Sequence, residues 1–327
     1  MKINLISFTQ NGSKVSNELI DLFENKDYDI YAVGKYPFGK IKALNKSVYE
    51  FCKDSFETKA DAIIIIGALG IAVRAIAGNL KNKGCDPAVI VIDDKKNFVI
   101  PVISGHIGGA NALSMIIAES IGAIPVITTA TDVNKKFAID SWAVENECSI
   151  VDISKIKYVS SSILRGEDVG LICDFPIEGQ LPQGLKLGNM YEVGICISTC
   201  DTKIPFKNTL NLIPKEYVID IQFKENIPYD DFKDTIDRIL DDEKISPLQI
   251  IAVSSEGLKC ENIHKYCIEK KIELTNNKAN EILRYENINE AYKYRENGNK
   301  KIFIKECICD NIKIAISKIN WRCIFWI

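Results

Sequence analysis

Residues 61–132 constrain the fold of this chain more tightly than any other part of it. The stretch reads DAIIIIGALGIAVRAIAGNLKNKGCDPAVIVIDDKKNFVIPVISGHIGGANALSMIIAESIGAIPVITTATD. Three apolar runs, at 62–66, 98–103 and 125–127, each end in a loop of small or hydroxylated residues. The loops are GALG (67–70), SGHIGG (104–109) and TTATD (128–132). Short continuous runs rich in Ile and Val read as strands buried on both faces. Strand, glycine loop and helix in succession imply parallel strands joined by crossover helices. That order predicts one parallel sheet with all three loops at the same edge, where ligands of open α/β sheets bind.

Length adds room for more than this one domain. The 327 residues suffice for two or three, and 46 % apolar with 26 % charged residues is an ordinary globular balance. A net charge of −3 gives no basic surplus for nucleic acid. No apolar run approaches the roughly 18 residues that span a bilayer, so no membrane partner is expected. MKINLISFTQNGS turns polar too early for a signal peptide and reads as a first strand, which makes a cytoplasmic location the expectation. The 11 cysteines are scattered, with none in a CxxC pair, and read as free thiols rather than as a metal site.

Taken in order, strands are expected at 2–8 and 29–33, and helices after NGS (11–13) and near 43–55. Asp86-Pro87 marks a turn before a strand at 88–92, and 98–103 is able to pair with that strand as a hairpin across the polar turn 93–97. Gly122 suits the C-terminal cap of a helix over 110–121, and Thr131 or Asp132 could cap the helix that follows. The fold class expected is α/β: an N-terminal parallel-sheet three-layer domain, a small middle unit, and a smaller C-terminal α/β domain. The boundaries drawn are 1–145, 146–205 and 206–319, with an aromatic tail at 320–327 that no pattern places. Within the last domain, 229–242 is the cleanest amphipathic helix, and further helices are expected at 261–271 and 277–285.

Three loops carry the candidate chemistry. In SGHIGGAN, Gly105 lets the backbone approach a ligand, and Gly108 and Gly109 would present N–H groups at a helix N-terminus that favours negative charge. Ser104 and His106 add a hydroxyl and a titratable imidazole, and Asn111 lies just beyond. A tight structural turn with a hydrogen-bonded histidine is the plainer alternative. Proximity to the helix N-terminus predicts a neutral His106, suited to act as general base toward a water, with the role of acid toward a departing oxygen as the alternative. The loop matches neither the Walker pattern nor GxGxxG, so a nucleotide phosphate is not its natural ligand. Gly67 and Gly70 open the helix bearing Arg74, the only arginine in the first 164 residues and able to grip a carboxylate with two bonds. Thr128, Thr129 and Thr131 offer hydroxyls, while Asp132 could orient His106 or serve as a base. Asp86, Asn111 and Asp140 are weaker candidates and read as structural.

These motifs resemble the CbiG family of anaerobic cobalamin biosynthesis. The resemblance rests on GALGIAVRAIAGNLKNKGCDPAVIVID, SGHIGGAN and PVITTATD in that order, with IKYVSSSILRGEDVGLICD like the family's linker region, and covers about half the chain. Gly78 stands where the family often has proline. In the last third the family's glycine- and cysteine-bearing turn is replaced by VIDIQFKENIPYDDF, although Lys259, Glu261 and the closing IKIAISKI are retained.

The resemblance implies a hydrolase that opens the δ-lactone of a cobalt-bearing tetrapyrrole and releases acetaldehyde. It implies no cofactor and no protein metal site, because the cobalt arrives with the substrate. With the loops as read above, His106, Asp132 and Ser104 are the catalytic candidates. The three glycine- and threonine-bearing loops, Arg74 and Asn111 become candidates for substrate binding, and Gly108 and Gly109 for an oxyanion hole. A homodimer is left open. A non-catalytic carrier of cobalt corrinoids is the alternative from another class.

Overall fold

In the computed structural model, residues 1–23, 28–82, 84–223, 227–255, 261–275, 302–309 and 312–325 are described. The helix expected over 277–285 and Lys259 lie outside them. The chain divides into two compact units, 1–141 and 142–327.

The first unit is a seven-stranded sheet with helices on both faces. In chain order it runs β1 (Lys2–Ser7), α1 (Gln10–Phe23), β2 (Asp29–Gly34), β3 (Lys42–Ala43), α2 (Val48–Glu57), β4 (Ala62–Ile66) and α3 (Leu69–Ile76). It continues with β5 (Ala88–Ile92), β6 (Phe98–Ile103), α4 (Ala110–Ile121), β7 (Ile124–Pro125), α5 (Ala130–Val133) and α6 (Ile139–Glu145), which runs on into the second unit. The strand order is β3-β2-β1-β4-β5-β6-β7. All five residues of β4 are 0 % exposed, as an unbroken Ala-Ile₄ run demands of a strand covered on both sides. Ala62, Ile64 and Ile66 face one core with α1 and α4; Ile63 and Ile65 face the other with α2 and α3. Each of those isoleucines contributes roughly 1.5–3 kcal/mol of apolar burial. The helix ends follow their signals: Ser47 and Glu50 form a capping box on α2, and Gly122 closes α4 in the left-handed region at φ 68. Thr131 and Asp132 cap nothing; they sit inside the four-residue α5.

One strand runs against the expectation. β1, β2, β3, β4 and β5 are mutually parallel, but β6 pairs antiparallel with β5, with Val89 opposite Ile103 and Ile92 opposite Val99. The physical reason is the connection. Five residues, 93–97, are too few for a crossover, which needs a dozen or more. Asp93 closes the turn by accepting from the backbone N–H of Phe98 at 2.6 Å and of Lys95 at 3.1 Å. β7 then follows β6 in parallel. The hairpin therefore forms, and the single edge does not. GALG, after β4, lies at one edge of the sheet; SGHIGG, after β6, and TTATD, after β7, lie at the other.

The second unit contains two larger sheets. After β8 (Cys148–Ile150), α7 (Ile156–Arg165), β9 (Val169–Cys173), β10 (Ile177–Gly179), β11 (Leu185–Leu187) and β12 (Val193–Ile197) comes β13 (Asn208–Pro214). The first sheet has the order β11-β9-β12-β13-β8, parallel except for β8. Its fourth strand, β13, lies beyond residue 205. The remaining elements are β14 (Tyr217–Phe223), α8 (Tyr229–Asp242), β15 (Ile250–Ser255), α9 (Glu261–Lys270), β16 (Glu273–Thr275), β17 (Ile302–Cys309), β18 (Ile312–Lys318) and β19 (Cys323–Phe325). β16-β15-β14-β18-β17 form the other sheet, and the apolar face of α8 (Phe232, Ile236, Ile239, Leu240) packs into its core. The tail is placed by β19, which pairs with β10.

Candidate active site

The turn between β6 and α4 is built to present one imidazole. Ser104 takes a left-handed φ of 58, and its hydroxyl donates to the Asp86 carbonyl at 2.9 Å, pinning the loop to the start of β5. Gly108 folds back onto it so closely that a Cβ there would lie 2.4 Å from the Cβ of Ser104. Gly109, at φ 76, turns the chain into α4. Loop carbonyls then take the first free N–H groups. Gly109 donates to His106 at 2.9 Å, Ala110 to Ser104 at 3.0 Å, and Asn111 to Gly105 at 2.9 Å.

His106 projects from this turn between two carboxylates. Its Nε2 lies 2.8 Å from Asp132 Oδ2, and both oxygens of Asp140 lie 3.1 Å from its Nδ1. Thr131 Oγ1 is 3.5 Å from Nε2. The Asn111 amide donates to Thr129 Oγ1 at 2.9 Å and to Asp132 Oδ2 at 3.0 Å, tying the threonine loop to the turn. Asp140 is 6 % exposed, whereas the Asp132 side chain is 38 % exposed, so the array has a buried end and an open end.

The charge on His106 reverses the expectation of a neutral ring. Its pKa is pushed up to about 9, first by the hydrogen bond to Asp140. Burial opposes this, and the hydrogen bond to Asp132 and the charges of both carboxylates add to the rise. Two carboxylates in contact outweigh partial desolvation and the helix N-terminus. With its pKa above neutral, His106 stands between the two carboxyl groups as an acid, and Asp132, at the open end, is placed to act as a base.

Of the residues singled out from sequence, His106, Asp132, Asn111, Thr129 and Thr131 come together here. Gly105, Gly108 and Gly109 shape the turn, and Thr128 lies exposed in the adjoining loop. Ser104 makes no hydrogen bond to His106. The paired oxyanion hole does not form, because the N–H of Gly109 is already donated; among the described residues none accepts from that of Gly108. Gly67, Gly70 and Arg74 belong to the opposite edge. Gly67 donates to the Ile92 carbonyl at 2.9 Å, and Arg74 is exposed on α3 with no ion pair among the described residues. Asp140, read as structural, is the partner that sequence reasoning missed. The usable signal was a carboxylate inside the apolar helix FAIDSWAV, because a buried charge must find a partner. Among the described residues no cluster of His, Cys, Asp and Glu is arranged to hold a metal ion.

The fold and this array define a multi-domain α/β protein with an acid–base group at one edge of its first sheet. Residues 50–132 match the family described as cobalamin synthesis G N-terminal, and residues 137–214 match the cobalamin biosynthesis central region. Through these two regions the chain is similar to the CbiG family over its N-terminal and central parts. A protein named cobalt-precorrin-5A hydrolase from Salmonella typhimurium is 34 % identical over 62 % of this chain and 61 % of its own length. One of the same name from Priestia megaterium is 36 % identical over 51 % and 46 %. The chain thus spans about half to three-fifths of the length of the curated relatives it matches. A crystal structure of a cobalamin biosynthesis protein G homolog from Sulfolobus solfataricus aligns over 97 % of both chains at 21 % identity. Its TM-score is 0.42. Among the described residues no helix is long and apolar enough to cross a membrane.

Proposed function

We propose that this chain is a cobalt-precorrin-5A hydrolase, opening the substrate's δ-lactone and releasing acetaldehyde, with the reaction centred on His106 and Asp132. The observation that carries the reading is the Asp132–His106–Asp140 array, two of whose members lie in the segment matched to the CbiG family. Lactone opening requires a base for water and an acid for the departing oxygen. Asp132, at the open end, takes the proton of the attacking water. The ring oxygen leaves as an alkoxide and is protonated by His106 Nε2–H. Asp132 then returns its proton to His106, so the sum of the step is the addition of one water. Asp140 holds Nδ1–H and keeps the imidazole charged and oriented. The N–H of Gly108, which no acceptor among the described residues takes, is available to the developing oxyanion. Loss of acetaldehyde follows when a base, again Asp132, takes the proton of the new hydroxyl and the electrons of the broken C–C bond pass to the cobalt macrocycle. Cobalt enters as part of the substrate, and the protein supplies position and proton transfer. The threonine hydroxyls beside the array suit the substrate's peripheral carboxylates.

The test is acetaldehyde release from cobalt-precorrin-5A by the purified chain under anaerobic conditions. Stoichiometric release sustains the hydrolase. Tight binding with no acetaldehyde would overturn it and leave a carrier of the corrinoid.

A further inference from the structure

Asn111 stands at the start of α4 with its side-chain amide between two loops. Its backbone N–H donates to the Gly105 carbonyl at 2.9 Å, and its side chain lies against Gly105, where a Cβ would stand 2.7 Å from Oδ1. Nδ2 donates to Asp132 Oδ2 at 3.0 Å and to Thr129 Oγ1 at 2.9 Å. The amide cannot be turned over. Asp132 Oδ2 already accepts from His106 Nε2 at 2.8 Å, so it presents lone pairs and requires a donor opposite. Both hydrogens of the Asn111 amide are thereby spent.

Each acceptor is left half used. On Asp132, His106 and Asn111 both donate to Oδ2, and among the described residues nothing donates to Oδ1. The side chain is 38 % exposed with Oδ2 engaged, which leaves Oδ1 as the oxygen free to take a proton. On Thr129, Oγ1 accepts from the amide, so its own hydrogen is directed away from Nδ2. That hydroxyl does not cap α5, and among the described residues no acceptor takes its hydrogen.

We propose that Asn111 is the positioning residue of this site. One amide hydrogen, on Asp132 Oδ2, fixes Oδ1 as the oxygen that takes the proton of water. The other, on Thr129, turns the threonine hydroxyl into a donor to a carboxylate oxygen of the substrate. The inference rests on the hydrolase reading and divides Asp132 into a tethered oxygen and a working one. During lactone opening Oδ1 takes one proton of the water whose oxygen bonds to the lactone carbon. The ring C–O bond breaks, and the departing oxygen takes the proton of His106 Nε2. The proton held by Asp132 then passes to Nε2, and Asn111 ends the cycle unchanged.

The test compares Asn111→Leu, Asn111→Asp and Thr129→Val with the parent in steady-state acetaldehyde release, with His106 titrated by NMR. Asn111→Leu removes both donors and should lower kcat roughly 10–100-fold, the scale of a small misplacement of a reacting group. Asn111→Asp keeps the shape without the donors and should lose at least as much. In Asn111→Leu, His106 should still titrate near 9, because the largest cause of its raised pKa, the hydrogen bond to Asp140, is untouched. Thr129→Val should raise KM about tenfold with kcat within about threefold, and Thr129→Ser should restore it. A kcat within about threefold of the parent in Asn111→Leu would overturn the positioning role. So would a His106 titration that falls toward 6.5 in the same variant, since the amide would then hold the array together rather than aim one oxygen. An unchanged KM in Thr129→Val would overturn the donor. A parent that binds the corrinoid and releases no acetaldehyde is a separate result: it overturns the hydrolase reading, and the role given to Asn111 with it.

Discussion

The two glycine-rich loops of the first unit read almost alike and do opposite things. GALG follows a parallel strand and opens α3 at the edge shared by the C-terminal ends of β1, β4 and β5. That edge is closed by polar contacts: the Thr9 hydroxyl donates to Asp94 Oδ1, and the Asn11 amide to the Asp94 carbonyl. On α3, Leu69, Ile71, Val73 and Arg74 face outward. SGHIGG follows the reversed strand and opens α4 at the opposite edge, where His106 meets two carboxylates. A strand–glycine–helix turn therefore announces where a backbone bends, not where chemistry occurs. Strand direction assigns the loop to an edge, and the titratable side chains decide what that edge can do.

The comparison breaks most readily at His106. His106→Ala should lower acetaldehyde turnover roughly 10²–10⁴-fold, the range for a positioned acid–base group. It also takes from the buried Asp140 its contact with the imidazolium, so thermal melting must accompany the assay. His106→Asn keeps an amide that can donate to one carboxylate and should fold better, yet it cannot transfer a proton. If that variant turned over within about threefold of the parent, the two edges would be equally non-catalytic.

Asp140 tests the charge state behind the difference. Asp140→Asn removes the largest cause of the raised His106 pKa, so its titration should fall from about 9 toward the ordinary 6.5. The alkaline limb of kcat should move in the same direction, and turnover at pH 8 should drop about 10–100-fold. The sign for stability follows from the raised folded value. Stabilisation by the imidazolium is complete below the unfolded pKa of about 6.5 and is lost as pH climbs through about 9. Melting of the parent should therefore decline over that window, and that of Asp140→Asn much less. A parent His106 that titrates near 6.5 by NMR would refute the clamp.

Much of this was readable in the residues, and the gaps have physical causes. The Ile-rich β4, the hairpin across 93–97, the Gly122 cap and the cluster of His106 with Asp132 all followed from local pattern. The single edge expected for the three loops conflicts with the hairpin expected across 93–97, and the hairpin forms. A five-residue turn forces antiparallel pairing, and antiparallel pairing moves the next loop to the far edge. Asp140 escaped because its partner lies 34 residues back along the chain, and contact at that separation leaves no spacing to read. The neutral imidazole failed on magnitude, since a helix terminus contributes about 0.3–1 kcal/mol against two direct carboxylate contacts. The tail stayed unplaced because pairing with β10 depends on a strand of only three residues.

A smaller effect is expected from the turn itself. Gly108→Ala would push a methyl to within 2.4 Å of the Ser104 Cβ and 3.0 Å of the Ser104 carbonyl oxygen. Ser104 is already at positive φ and tied to Asp86, so the loop must open at a cost of roughly 1–3 kcal/mol. Melting should fall by a few degrees, with a matching loss of turnover as His106 shifts. An unchanged melting point would mean that the close approach of Gly108 to Ser104 does not hold the turn.

The smallest effect is expected at Arg74, which sharpens the comparison. Had the loops shared an edge, this arginine would have gripped a substrate carboxylate, and Arg74→Lys would have weakened binding by roughly 1–3 kcal/mol through loss of the two-bond fork. In the fold it stands on α3, exposed and without an ion pair among the described residues, on the helix that GALG opens. Exposed charges of this kind contribute about 0–1 kcal/mol. Arg74→Lys should therefore leave substrate affinity and turnover within about threefold of the parent. A titration showing tenfold weaker binding with unchanged kcat would mean that a single substrate spans both edges, and the division drawn between them would fail.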